Sequence, residues 1–393
     1  LGDVYKRQQQ GNQVTLHYEN QDVILTILKD DIIRVLVPCW MKDYKSKAIE
    51  GEKAVPANFT VEDAGDATVI KTKSLTLYIH DGFYMEAYDA NGHLLMEDYR
   101  GQRVKKVALD QKAADLLEAE GHDASKSEGG DYAVQTLKVL APEDSFYGLG
   151  DKSGFLNKRH YEYENWNSDL PQAHTEDFHA LYKSIPFLIC LRKDCVYGLF
   201  FDNTFHSYLN LGKESEEYFC YGADDGNLDY YILGGETMAE VIKNYTYLTG
   251  RTPLPQLWTL GYHQSRWGYT SAKDIMEIAE KYRKLQIPCD VIHLDIDYMD
   301  NFKVFTWDEE YYDKKGVLCD KMEQLGFKPV TIIDPGTKKE DGYFMYEEGV
   351  EKGYFAKDTE GNIYVNEVWP GESVFPDFGR KEAVSYTHLT LPT

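Results

Sequence analysis

From about residue 13 to residue 233 the apolar positions come in short runs separated by turn-forming polar residues. Residues 23–28 and 32–37 are two such runs, split by Lys29, Asp30 and Asp31. Runs at 74–79 and 84–88 follow, and the sequence Asp89-Ala90-Asn91-Gly92 carries an Asn-Gly hairpin signal. Residues 132–139, 187–191, 197–201, 207–211 and 229–233 continue the series. Short strands at this spacing predict a β-sandwich. Residues 110–130 break the pattern with charged and small residues and a Gly129-Gly130 pair, which predicts an exposed insertion with a marginal helix.

The period then changes. Residues 237–248 have helical spacing, and 251–255 form a linker punctuated by Pro253 and Pro255. An apolar run at 257–262 reads as a strand. Ser271 with Asp274 reads as a helix start of capping-box type. Ile275, Ile278, Ala279, Tyr282 and Leu285 recur at helical spacing, so the helix is expected over 271–285, with Pro288 beyond its end. Strand 291–295, helix 314–325 and strand 329–334 complete a βαβαβ order, which predicts a parallel sheet with crossover helices. Residues 367–378, interrupted by WPG and FPDF, read as loop and offer no fourth strand.

Composition narrows the partners. The chain has 42 basic and 66 acidic residues, a net charge of −24, and no basic cluster. Phosphate binding needs a positive stripe, so nucleic acid and anionic membrane are not expected partners. No apolar run is long enough to span a membrane, and no signal segment opens the chain. Aromatics make up 14% of residues, with 31 tyrosines, which suits either sugar C–H faces or ordinary packing of β-sheets. The six cysteines form no CxxC pair and no zinc spacing, and Cys190 lies inside an apolar run. They are read as reduced thiols of a cytoplasmic protein.

The chemistry concentrates where the apolar runs of the second half end. His263, Gln264, Ser265, Arg266 and Trp267 follow the first, and Asp295, Asp297 and Asp300 follow the second. At the C-terminal ends of parallel strands such residues are candidates for a site. A metal site is the alternative for this Asp-x-Asp, but a hard cation needs more oxygen ligands than two carboxylates supply. Asp297 and Asp300 are expected to pair with Arg266 or nearby lysines, or to cap the following turn. His263, His293 and Arg266 are expected to hydrogen-bond near a pocket floor.

Six segments occur in order: FYGLGDKSG (146–154), NWNSDLP (165–171), GYHQSRWGY (261–269), HLDIDYMD (293–300), IIDPG (332–336) and VWPGESVFPDF (368–378). Together they resemble the α-glucosidases of glycoside hydrolase family 31, over nearly the whole chain. The resemblance implies a multidomain fold, an N-terminal β-sandwich (9–250) followed by the first three βα units of a (β/α)8 TIM barrel (251–384). The ends 1–8 and 385–393 fit neither pattern and resemble translated sequencing adaptor, so they are read as non-native and the chain as an internal piece.

By the same resemblance Asp295 accepts hydrogen bonds from the 4- and 6-hydroxyls of the terminal glucosyl ring, and a carboxylate suits that task because it accepts two donors at once. Ile296 implies an apolar wall beside it. Asp169 implies a sandwich-loop acid touching the adjoining sugar, its alternative being a solvated loop carboxylate. Trp267, Ile332 and Trp369 imply further pocket walls, with plain packing as the alternative for both indoles. Asp334 and Asp377 are expected to orient loops.

One departure matters. Retaining glycosidases use two carboxyls about 5–5.5 Å apart, a nucleophile and an acid/base. The family's nucleophile lies in a W-x-D-M-N-E type motif, and the chain contains none. Neither catalytic carboxylate is therefore expected here, and both are placed beyond residue 384. The implied function is a retaining α-glucosidase releasing glucose from non-reducing ends of α-linked gluco-oligosaccharides, with no metal or cofactor, and a chain inactive by itself. An α-xylosidase or other α-glycosidase, or a non-catalytic carbohydrate-binding protein, are the alternatives.

Overall fold

The strand Leu228–Gly235 is buried at every residue but its last, because its sheet is covered on both faces. Residues pointing one way, Tyr230 and Ile232, join the main core, while Tyr231 and Leu233 join a second core behind it. Its neighbour Cys195–Phe201 splits the same way, with Tyr197, Leu199 and Phe201 on one side and Val196 and Phe200 on the other. Side chains alternate across a strand, so a sheet covered twice carries apolar residues at consecutive positions.

This computed structural model describes residues 4, 6–41, 44–50, 58–104, 132–170, 173–176, 178–314 and 316–388. They fall into two units, Leu1–Arg251 and Thr252–Thr393. The predicted insertion at 110–130 lies outside the described residues.

The first unit is built on an antiparallel sheet of eight strands, in the order Lys6–Gln10, Gln13–His17, Asp22–Lys29, Ile32–Val37, Leu228–Gly235, Cys195–Phe201, Ser184–Arg192 and Ser145–Gly150. A five-stranded antiparallel sheet runs from Thr60–Asp63 to Leu94–Glu97, and Leu75, Leu77 and Ile79 of its central strand Leu75–His80 enter the main core. A four-stranded sheet joins Val134–Val139, Tyr218–Ala223, Ser207–Asn210 and Glu162–Asn165. It contributes Phe219 and Tyr221, and the Tyr221 ring stacks on Phe201 at 4.0 Å. The other face of the large sheet is covered by the helix Met238–Thr249, through Val241 and Leu248. Thr237 caps that helix by accepting from the Glu240 N–H, and Gly250 closes it at φ +86°.

Charges inside the sandwich are paired. Arg34 donates to Asp229 through Nε at 2.8 Å and Nη2 at 2.5 Å. Arg192 grips Asp144 in the same bidentate way at 2.7 and 2.8 Å. Buried Lys138 bonds Asp98 and the Tyr230 hydroxyl, and these partners outweigh the burial that would lower its ammonium. Asp202 is less well served. Its Oδ1 accepts from Ser46 Oγ at 2.7 Å, but burial and then Asp229 push its carboxyl up to about 6.

One close approach is set by glycine. Gly150, at φ +80°, pairs with Ser184, and a Cβ there would fall on the Lys183 carbonyl oxygen. A side chain at this position is excluded by both backbone conformation and space. The pairing fixes the chain just after the loop that carries Asp169.

The second unit has a parallel sheet of His263–Gln264, Val291–Leu294 and Lys328–Thr331, crossed by the helices Ala272–Lys284 and Val317–Gln324. Two expectations change here. The apolar run at 257–262 is not a strand: Leu257–Leu260 is a 3-10 turn, and Leu257 is 86% exposed. Local bonds win, because the Gln256 carbonyl accepts from both the N–H and the hydroxyl of Thr259, and the Gln256 side chain accepts from the Trp258 indole. Pairing starts instead at His263, opposite Val291. Residues 367–378 are also more than loop, since Val365–Val368 and Gly371–Val374 pair antiparallel in a separate sheet with Thr337–Lys338.

Replacing Arg34 with Met strands Asp229 in the sandwich, at a cost of about 3–5 kcal/mol. Urea unfolding measures it, and a loss below about 1 kcal/mol would show that the pair is not the clamp described. The Asp202 carboxyl is raised above its ordinary 3.8, so the stabilisation it gives is complete below that value and disappears as pH climbs through about 6. The Asp202→Asn chain is expected to lack that fall, which unfolding midpoints between pH 4 and 7 would reveal.

Candidate functional site

The geometry of the second unit starts from its parallel register. Leu294 pairs with Thr331, so the next residues, Asp295 and Ile332, leave adjacent strand ends side by side. The Ile332 N–H donates to the Leu294 carbonyl at 3.1 Å, and the Tyr298 hydroxyl donates to the Ile332 carbonyl at 2.8 Å. These two bonds hold the Ile332 backbone while its side chain stays 41% exposed.

Asp295 is held by its own backbone turn. It caps the short 3-10 segment Ile296–Tyr298, and its Oδ1 accepts from the Ile296 N–H at 2.7 Å. Its second oxygen has no hydrogen-bond partner among the described residues. Half-buried at a strand end, it presents one acceptor already fixed in direction and one open. Ile296 itself is 5% exposed and belongs to the core of this unit.

Trp267 and Trp369 come together although they are distant in sequence. Their rings lie 6.1 Å apart at 44°, and they are 64% and 61% exposed. Trp369 sits in the turn between Val365–Val368 and Gly371–Val374, so the antiparallel hairpin is what delivers it. A pair of large indoles left in solvent is a surface suited to a ligand.

The neighbouring polar groups take definite roles. His263 Nδ1 and His293 Nε2 share a hydrogen bond of 3.1 Å, and His263 Nε2 meets the Thr259 carbonyl at 3.2 Å. Burial, then the charge of His263, lowers the His293 pKa and favours its neutral form. Asp300 pairs with Lys303 at 3.1 Å. Asp297 takes neither expected partner, and its buried Oδ2 has no hydrogen-bond partner among the described residues. Asp377 accepts from the Gly379 N–H at 3.0 Å, which shapes its loop.

Gln264, one of the residues past the first apolar run, has a role that its position alone did not specify. Its amide donates to the Tyr269 hydroxyl and its carbonyl accepts from the Tyr262 and Tyr282 hydroxyls, at 2.8, 2.8 and 2.6 Å. The available signal was an amide surrounded in sequence by three tyrosines. Among the described residues no group of His, Cys, Asp and Glu is placed to hold a metal ion.

Asp169 belongs to the first unit. It is exposed in the loop between Glu162–Asn165 and Ser184–Arg192, where burial and then its carboxylate raise the pKa of the Tyr182 hydroxyl.

Comparison with known proteins follows this geometry. Residues 22–210 match the glycosyl hydrolase 31 N-terminal galactose mutarotase-like domain, and residues 252–391 match the glycosyl hydrolases family 31 TIM-barrel domain. Alpha-glucosidase 2 of Bacillus thermoamyloliquefaciens is 33% identical over 386 residues, covering 97% of this chain and 46% of that protein. Alpha-glucosidase of Saccharolobus solfataricus is 29% identical, over 62% of this chain and 35% of its own length. The chain thus spans less than half of these relatives. Among solved structures, a Flavobacterium johnsoniae GH31 dextranase complexed with isomaltotriose superposes with a TM-score of 0.82 at 28% identity, covering 98% of this chain and 45% of the dextranase. On two adjoining domain matches and relatives along its length, the chain belongs to glycoside hydrolase family 31, with the family's N-terminal mutarotase-like domain followed by the start of its TIM-barrel domain.

Proposed function

We propose that the whole protein is a retaining α-glucosidase that releases glucose from the non-reducing ends of α-linked gluco-oligosaccharides, and that this chain carries its sugar-recognition part. The observation that carries the reading is Asp295, a strand-end carboxylate with one oxygen fixed and one open, beside an exposed Ile332. A sugar's hydroxyls donate to such a carboxylate and its C–H face lies on aromatic rings such as Trp267 and Trp369. Asp169 is proposed to add a contact to the adjoining ring, and Ile296 to back the subsite from within the core. The names of the two α-glucosidases and the isomaltotriose of the dextranase complex support an α-linked glucan as the substrate class.

The antiparallel sheets of the first unit support a sandwich at 9–250, and the three parallel strands of the second support the first three βα units of a barrel at 251–384. The bond-breaking acids are proposed to lie outside this chain, which is then inactive alone, since no W-x-D-M-N-E motif occurs in it. Six free thiols support a reducing, cytoplasmic setting.

Calorimetric titration of the chain with glucose tests the recognition site. Asp295→Ala removes two charge-assisted bonds and is expected to weaken binding by roughly 30-fold or more. Unchanged affinity would remove Asp295 from the site. Trp267→Ala is expected to weaken it by about fivefold, the worth of one ring face. In the whole protein, faster hydrolysis of nitrophenyl α-xyloside than of α-glucoside would transfer the assignment to an α-xylosidase.

A further inference from the structure

Ser265, Arg266, Trp267 and Gly268 are all exposed, so packing does not fix the loop that carries the Trp267 indole. The ring meets Trp369 at 6.1 Å, and that side chain is itself mostly in solvent. A large side chain at an exposed loop tip loses backbone and rotamer freedom on meeting a ligand, unless the loop is held beforehand.

What holds this loop lies at its two ends. Gln264 precedes it and Tyr269 follows it, and the Gln264 amide nitrogen donates to the Tyr269 hydroxyl across the gap at 2.8 Å. Each anchor is secured from behind. Tyr269 is buried in the core of this unit, and its carbonyl accepts from the Tyr312 hydroxyl. Gln264 pairs with Ile292 in the parallel sheet. Its side-chain oxygen accepts from Tyr262, two residues back, and from Tyr282 on the helix Ala272–Lys284. Burial, then the hydrogen bond with Tyr262, pushes the Tyr282 hydroxyl up to about 12, so it stays a donor at neutral pH. With its oxygen taking two donors and its nitrogen spanning the loop, the Gln264 amide is fixed in direction.

We propose that Gln264 is a positioning residue: it clasps the loop 265–268 through Tyr269 and so holds the Trp267 indole against Trp369 before a sugar arrives. The consequence for sugar binding rests on the recognition site proposed above; the indole geometry does not. A leucine in place of Gln264 leaves the tyrosine hydroxyls without their shared partner and the loop free to open. A glutamate keeps the clasp, because the Tyr269 hydroxyl turns its hydrogen toward the second carboxylate oxygen.

The test compares the chains Gln264→Leu, Gln264→Glu and Tyr269→Phe, the last removing only the bond across the loop. Two indoles in contact give an exciton couplet in far-ultraviolet circular dichroism that fades steeply as they separate, read here as the difference from the Trp267→Ala chain. The couplet is expected to fall by about half or more in Gln264→Leu and in Tyr269→Phe and to persist in Gln264→Glu, while urea midpoints check that each variant folds. Glucose affinity is expected to weaken about threefold in Gln264→Leu, and to weaken no further when Gln264→Leu is added to Trp267→Ala, because a residue acting through another is not additive with it. A full couplet in both Gln264→Leu and Tyr269→Phe would overturn the proposal, as would a separate, additive loss of affinity in the double variant. A couplet that falls while Trp267→Ala binds glucose unchanged upholds the clasp and removes Trp267 from the recognition site.

Discussion

The two-sided burial of the eight-stranded sheet is the constraint on which the first unit rests. A strand such as Leu228–Gly235 has no solvent face, so two separate layers must be present to cover it. The smaller sheets cover one side and the helix Met238–Thr249 the other. Polar groups within that arrangement have no water to fall back on, which is why Arg34 and Arg192 meet their aspartates with two bonds each. Asp202 stands at the edge of the same regime. One oxygen is satisfied and the other is not, and burial together with Asp229 raises its carboxyl.

In the second unit the organising element is the register of three short parallel strands. Its pairs are few, His263 and Gln264 on one strand and four residues on each of the others. Yet the register decides which residues emerge together at the strand ends. Side-chain bonds then finish the placement: Asp295 to its own turn, Tyr298 to the Ile332 backbone, and Gln264 to three tyrosine hydroxyls. Trp369 arrives by a different route, on an antiparallel hairpin outside the parallel sheet, and there its ring meets Trp267.

Much of this was legible in the sequence because it is local. Alternation in residues 75–79 betrays a strand with one core face, and Ser271 with Asp274 marks the helix start that the structure places at Ala272. Asp295 was legible as a residue just past an apolar run. What could not be read was long-range or competitive. The turn at Leu257–Leu260 defeats an apolar pattern through bonds to Gln256, which periodicity does not register. The contact of Trp267 with Trp369 depends on where a distant hairpin folds back. Asn165, Ser184 and Asp202 come from three separate strand ends, and nothing in their flanking residues announces that they line one cleft.

The close approach at Gly150 has an evolutionary side. Every single-nucleotide change that replaces a glycine codon's residue adds a Cβ, and here that carbon would land on the Lys183 carbonyl. The position therefore has no neutral neighbours in sequence space, and drift cannot pass through it. The described residues Trp166 and Asp169 of the adjoining loop are exposed instead. Side chains can be exchanged at such exposed positions one residue at a time, while the anchor that holds the end of the loop keeps its shape.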